Sequence, residues 1–190
     1  LSSLLFLATL PDAMMPVALK SLIMDRYGIS AGGAHWFMAV NLIGAVLVLP
    51  LLARVWTRTA PWSLIAVAAG IDAACMATMA WPVGWPATLV LRVIEGGADL
   101  VTISTVLGLM GGGAFSRSGR RFGLAGTVMM LGLSLGFFGG GQLAGESGIP
   151  VLVASAGSCL LLAVAAWVVR RPLADLRTRT ARIAAATGRS

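Results

Sequence analysis

Long apolar runs, separated by short polar or glycine-rich turns, cover almost the whole chain. A helix crosses a bilayer in about 20 apolar residues. Runs of that length occupy residues 3–24, 36–55, 62–81, 89–110, 122–144 and 151–169. The pattern predicts an all-α polytopic membrane protein. Its transmembrane bundle spans residues 1–170, and a basic stretch over residues 171–190 forms a cytoplasmic tail or an interdomain linker. The first run contains Pro11 and Pro16, which membrane helices tolerate when neighbours satisfy the freed carbonyls. Trp36, Trp81 and Trp85 stand at run ends, where interfacial aromatics belong.

The fourth run breaks the apolar rule most strongly. It carries Arg92, Glu95 and Asp99, which with Gly96 fall at i, i+3, i+4 and i+7 on one helical face. A charge near the membrane centre costs ~2.5–3.5 kcal/mol on insertion scales, so such groups pair or face a watery cavity. The bland account is an Arg92–Glu95 ion pair that only holds helices together. The sharper one is a substrate or proton pathway, the default for ionisable groups inside a membrane.

Other polar groups interrupt the remaining runs. Asp12 lies in the first, where it either faces the same cavity or forms a cap or a salt bridge to Lys20. Lys20 can snorkel to an interface, whereas the short Asp12 side chain cannot. Asn41 lies in the second run and is expected to make an interhelical hydrogen bond, and Asp72 sits in the middle of the third. His35, the one histidine, is expected to be solvated at the water interface.

Composition sharpens the class. Hydrophobic residues make up 58% of the chain and charged residues 11%, more apolar surface than a water-soluble domain of 190 residues needs. Cys75 and Cys159 both lie in apolar runs, so neither a disulfide framework nor a zinc spacing is present. The formal net charge of +7 would suggest nucleic acid in a soluble protein. Here topology explains it better, and nucleic acid is not an expected partner. The even-to-odd turns and the tail hold Arg54, Arg58, Arg117, Arg120, Arg121, Arg170, Arg171, Arg177, Arg179, Arg182 and Arg189, while the opposite turns hold Asp25, Arg26 and Glu146. The positive-inside rule then places both termini in the cytoplasm, in a plasma or inner membrane. The chain begins at Leu1 rather than Met, which implies a missing or processed start.

In the fifth run, Gly132, Gly136 and Gly140 recur every fourth residue and share a face, which Gly141 and Gly145 extend. Small residues at this spacing let two helix backbones approach closely. In the tail, Leu173, Leu176 and Ile183 alternate with arginines, which suits either an anionic membrane surface or a solvated segment.

Together these residues resemble the N-terminal half of a major facilitator superfamily transporter, over essentially the whole chain. Arg92-Val-Ile-Glu95-Gly96 resembles the family's R-x-x-x-G motif of span 4. Gly132 and Gly136-Phe-Phe-Gly-Gly140-Gly141 resemble its G-P-x-x-G-G antiporter motif, with Phe137 in place of the proline. Asp12 followed by Val17-Ala18-Leu19 is similar to the acidic motif of drug–proton antiporters, and Trp36 with Asn41 falls where those families often have W-x4-Y. Between spans 2 and 3 the family usually has G-x-L-A-D-R-x-G-R-R, whereas this chain has Pro50-Leu-Leu-Ala53-Arg54-Val-Trp-Thr57-Arg58-Thr59.

The resemblance implies two inverted three-helix repeats, spans 1–3 and 4–6, with spans 1 and 4 lining a central cavity. Asp12, Asn41, Arg92, Glu95 and Asp99 would then form the substrate or proton pathway. Gly132, Gly136, Gly140 and Gly141 would serve helix packing and the interface between halves. The implied partners are the lipid bilayer, a small-molecule substrate and a second six-helix half from the same chain, a homodimer or another subunit. No cofactor is implied, and the sequence holds no metal constellation, phosphate loop or nucleotide fingerprint.

The expected function is a secondary active transporter half rather than an enzyme, with proton coupling through Asp12 or Asp99 as a further expectation. A non-transporting assembly subunit of a larger membrane complex is the alternative. Gly132-Leu-Ser134-Leu-Gly136 also matches the G-x-S-x-G pattern of serine hydrolases, but a nucleophile elbow needs a strand-to-helix turn and Ser134 lies in a helical pattern.

Overall fold

The computed structural model describes residues 1–111, 115–145, 147–175 and 178. Glu146, Leu176, Arg177, Arg179, Arg182, Ile183 and Arg189 lie outside the described residues, as do the side chains of Arg117, Arg120 and Arg121. The described residues contain no strand. The helices are α1 (Ser2–Val17), α2 (Ala31–Val55), α3 (Pro61–Ala80), α4 (Trp85–Gly111), α5 (Phe115–Leu143) and α6 (Ile149–Val168). The last five are long and apolar enough to cross a membrane.

The first apolar run is not one regular helix. After α1 the chain passes through Ala18 into a π-helical turn, Lys20–Asp25. Pro11 and Pro16 lie inside α1 and cannot donate backbone hydrogen bonds, which frees carbonyls one turn earlier. A π turn absorbs the resulting misregister. Ser21 donates through Oγ to the carbonyl oxygens of Ala18 and Ala144, both at 3.3 Å.

Local signals set the other boundaries. Ser30 caps α2 by accepting a hydrogen bond from the Gly33 amide. Proline occupies the first turn of α3 and of α6, where its missing N–H costs nothing. Gly148 enters α6 with φ +64°, and a Cβ there would stand 2.9 Å from Leu22 Cβ. Glycine is therefore required where this turn presses on the π turn.

Packing follows a simple rule. The main pairings are α1 with α5, α2 with α4, and α3 with α6; α3 also packs on α4, and α6 on α1. Exchanging α1 with α4, α2 with α5 and α3 with α6 maps this set of pairings onto itself. Glycines allow the two symmetry-related contacts. Along α1 and α5, Gly132 meets Thr9, Gly136 meets Leu10 and Ala13, and Gly140 meets Met14 and Val17, so these helices run parallel. Along α2 and α4, Gly96 meets Asn41, Gly97 meets Gly44 and Val48, and Gly108 meets Trp56, so these also run parallel.

The apolar core is divided into two layers. One joins Met15, Ala18 and Leu22 with Phe37, Met76 and Leu152. The other, at the end where α1 begins and α6 finishes, joins Leu5, Ile65, Leu109 and Leu162. Leu173 is buried in this second layer, so at least this residue of the basic stretch is seated on the bundle rather than on a membrane surface or in solvent.

At the opposite end, side chains from the first connection tie down the turn between α3 and α4. Arg26 donates to the carbonyl oxygens of Met79 (2.7 Å) and Trp81 at the carboxyl end of α3. Tyr27 Oη donates to Val83 O at 3.0 Å or pairs with Thr88 Oγ1 at 2.8 Å, and its ring packs on Trp85.

Candidate functional site

Between the two apolar layers lies a polar one. Asp12 comes from the middle of α1, Asp72 from the middle of α3, and Glu95 and Asp99 from successive turns of α4. Each falls on the inward stripe of its helix. Asp12 lies between buried Ala8 and Met15, and Asp72 between buried Ala69 and Met76. Asp12, Asp72, Glu95, Asp99 and Thr102 border one small cavity, which Cys159 of α6 closes from the side. Its free volume is about 10 Å³, near the lower limit for a single water.

Arg92 lies in the same polar layer as the carboxyl groups. Its side chain is 1% exposed, and Nη1 donates to Glu95 Oε1 within one turn of α4. The guanidinium also sits 4.9 Å from the centre of the Phe37 ring on α2, a cation–π arrangement. Among the described residues this is the one ion pair. Asp12 does not bridge to Lys20, which is exposed; it faces Asp99 within hydrogen-bonding reach. A hydrogen bond between two carboxyl groups requires a proton on one of them.

The layer is not fully satisfied. Asp72 Oδ1, Glu95 Oε2, Arg92 Nε and Thr102 Oγ1 are buried without a hydrogen-bond partner among the described residues. Leaving such a group unpaired costs about 1–3 kcal/mol, more when it is charged. Four carboxyl groups around one guanidinium also leave an excess of acidic groups over cations, which favours a proton or a cation as the missing counter-charge.

Of the sequence-predicted pathway residues, Asp12, Arg92, Glu95 and Asp99 come together. Asn41 belongs to the α2–α4 contact instead: its backbone meets Gly96, and its amide nitrogen makes none of the interhelical hydrogen bonds expected of it. Asp72 was missed as a site residue. It is 4% exposed and lies within electrostatic range of Glu95, Asp12 and Arg92. Its signal was being the only charged group in its apolar run.

Gly132, Gly136 and Gly140 pack against α1 of the same bundle. Their face is filled, so it is not open to a second half. Gly141 is exposed, and a Cβ there would meet nothing within 4 Å. Ser134 is exposed within the regular helix α5, and His35 is exposed near the start of α2.

No protein-family model matches the chain, no curated protein matches it, and no solved structure matches it. Function therefore rests on the polar layer and the packing around it. Within that layer the accessible point is the Asp12–Asp99 pair. Asp12 and Asp99 are partly exposed as whole residues, whereas Asp72, Arg92 and Glu95 are buried.

Proposed function

We propose that the chain is a six-span half of a secondary active transporter that moves a small molecule and couples the movement to protons. The observation that carries this is the meeting of Asp12 and Asp99, from non-adjacent helices, within a buried and under-satisfied carboxyl cluster. Protons enter at this partly exposed pair and exchange with Asp72 and Glu95 behind it, while Arg92 sets the electrostatic balance. The pairwise exchange that maps the helix packing onto itself supports two inverted repeats, an arrangement similar to a major facilitator half. On that arrangement α1 is completed as a span by its π turn, and the arginine-rich end faces the cytoplasm.

The cluster itself has no room for a substrate larger than water. The substrate path lies between this bundle and a second one, because rocking access needs two bundles. The test is proton flux into proteoliposomes, read by an internal pH dye. Asp12→Asn and Asp99→Asn each abolish proton-driven flux; undiminished flux in both variants sinks the proton role.

A second reading is favoured by the outer helices. Most of α2 and α5 is unburied, with exposed Leu42, Val46 and Leu47 on one and Leu131, Leu135 and Phe138 on the other. These faces also suit an assembly subunit of a larger membrane complex. A detergent-purified particle containing unrelated subunits, with no flux, selects that reading.

A further inference from the structure

A groove of about 530 Å³ runs along the outside of the bundle between α2, α3 and α4. It starts at mid-depth beside Gly44 and Val93 and continues past Leu51, Val67 and Ile71 to Val55. Its walls are almost wholly apolar. Polar groups appear at the far end, where Thr59 and Ser63 line it. Arg54 and Arg58 flank that end in sequence, each three residues beyond a groove-lining position, Leu51 and Val55. Both arginines are exposed.

The groove is an apolar trough with polar groups at one end, and two exposed arginines follow its lining residues in sequence at that end. Its size is that of a ligand site, and the close α2–α4 approach at Gly44 forms its floor. We propose that it binds an anionic phospholipid: one acyl chain lies in the trough and the phosphate is held by Arg54 and Arg58. A zwitterionic lipid offers the same chain but carries its own cation, so it gains less from the arginine pair. Basic pockets between membrane helices recognise anionic headgroups in this way. The site is separate from the carboxyl cluster, which lies inside the bundle.

Native mass spectrometry of the full chain, delipidated in detergent and then titrated with phosphatidylglycerol or phosphatidylcholine of equal chain length, tests this. Phosphatidylglycerol is expected to bind about ten-fold or more tightly than phosphatidylcholine. The Arg54→Gln/Arg58→Gln double variant removes that preference. Val67→Trp, at a half-open position on the groove wall, lowers binding of both lipids with the arginines intact. Arg170→Gln/Arg171→Gln, at the same end of the bundle but away from the groove, keeps the preference. Equal binding of the two lipids by the unaltered chain overturns the proposal. So does full phosphatidylglycerol binding by either groove variant, or an equal loss from the Arg170/Arg171 change, which would mark general surface attraction.

Discussion

Asp12 of α1 and Asp99 of α4 face each other within hydrogen-bonding reach, midway between the two apolar layers of the bundle. An amide can replace a carboxyl in such a pair without losing the hydrogen bond. Asp12→Asn and Asp99→Asn therefore fold, with stability changes of about 1 kcal/mol or less. On the proposed proton role, each replaces an ionisable group of the pair with one that cannot take up or release the proton. Unfolding in detergent and proton flux in proteoliposomes separate the two effects: small shifts in the first with at least about ten-fold loss in the second are expected, a factor of ten being about 1.4 kcal/mol of barrier.

Arg92 and Glu95 behave differently, because they form the one salt bridge among the described residues. Removing one strands a buried charge, at a cost of about 3–5 kcal/mol. Arg92→Met alone, or Glu95→Met alone, is expected to destabilise by that amount. The double change to methionine recovers part of it, since neither member of the pair is then left without the other. A double-mutant cycle by denaturant titration checks this, and additive losses would exclude the pairing.

Gly44 of α2 is pressed on the backbone of α4: a Cβ there would lie 1.8 Å from Val93 O. Backbone cannot swing aside as a side-chain tip can. Gly44→Ala is expected to cost at least about 1–3 kcal/mol through forced separation of α2 and α4. Gly141→Ala, which would meet nothing within 4 Å, stays within about 0.5 kcal/mol. Thermal unfolding of the two variants side by side tests the contrast.

Arg26 and Tyr27 lock the α3–α4 turn from outside it. Tyr27→Phe removes the hydroxyl that reaches Val83 and Thr88, a loss of about 1 kcal/mol. Arg26→Gln removes a guanidinium from the carboxyl end of α3, where a cation complements the exposed carbonyls. Hydrogen exchange at the amides of Val83 and Thr88 is expected to quicken in both variants while that of the α6 core is unchanged.

Much of this protein is decided by sequence alone. Run length and apolarity dictate helices long and apolar enough to cross a membrane, because a helix satisfies its backbone groups within the segment. The spacing of Arg92, Glu95 and Asp99 puts them on one face, since helix geometry is local. The four-residue glycine period announces a close helix contact, but not its partner. That partner is α1, a choice made only by how the helices assemble.

The same limit explains the misses. Asp72 looked like an isolated charge because its neighbours, Asp12 and Glu95, are distant in sequence and meet it only across packed helices. Asn41 looked like a hydrogen-bonding amide, yet its helix is held by backbone contact at Gly96 and its amide nitrogen has no partner among the described residues. The π turn after Pro16 was hidden as well: proline shows that a hydrogen bond is lost, while the surrounding helices decide how the chain recovers it. Sequence settles what each segment must bury; tertiary packing decides which buried groups share a site.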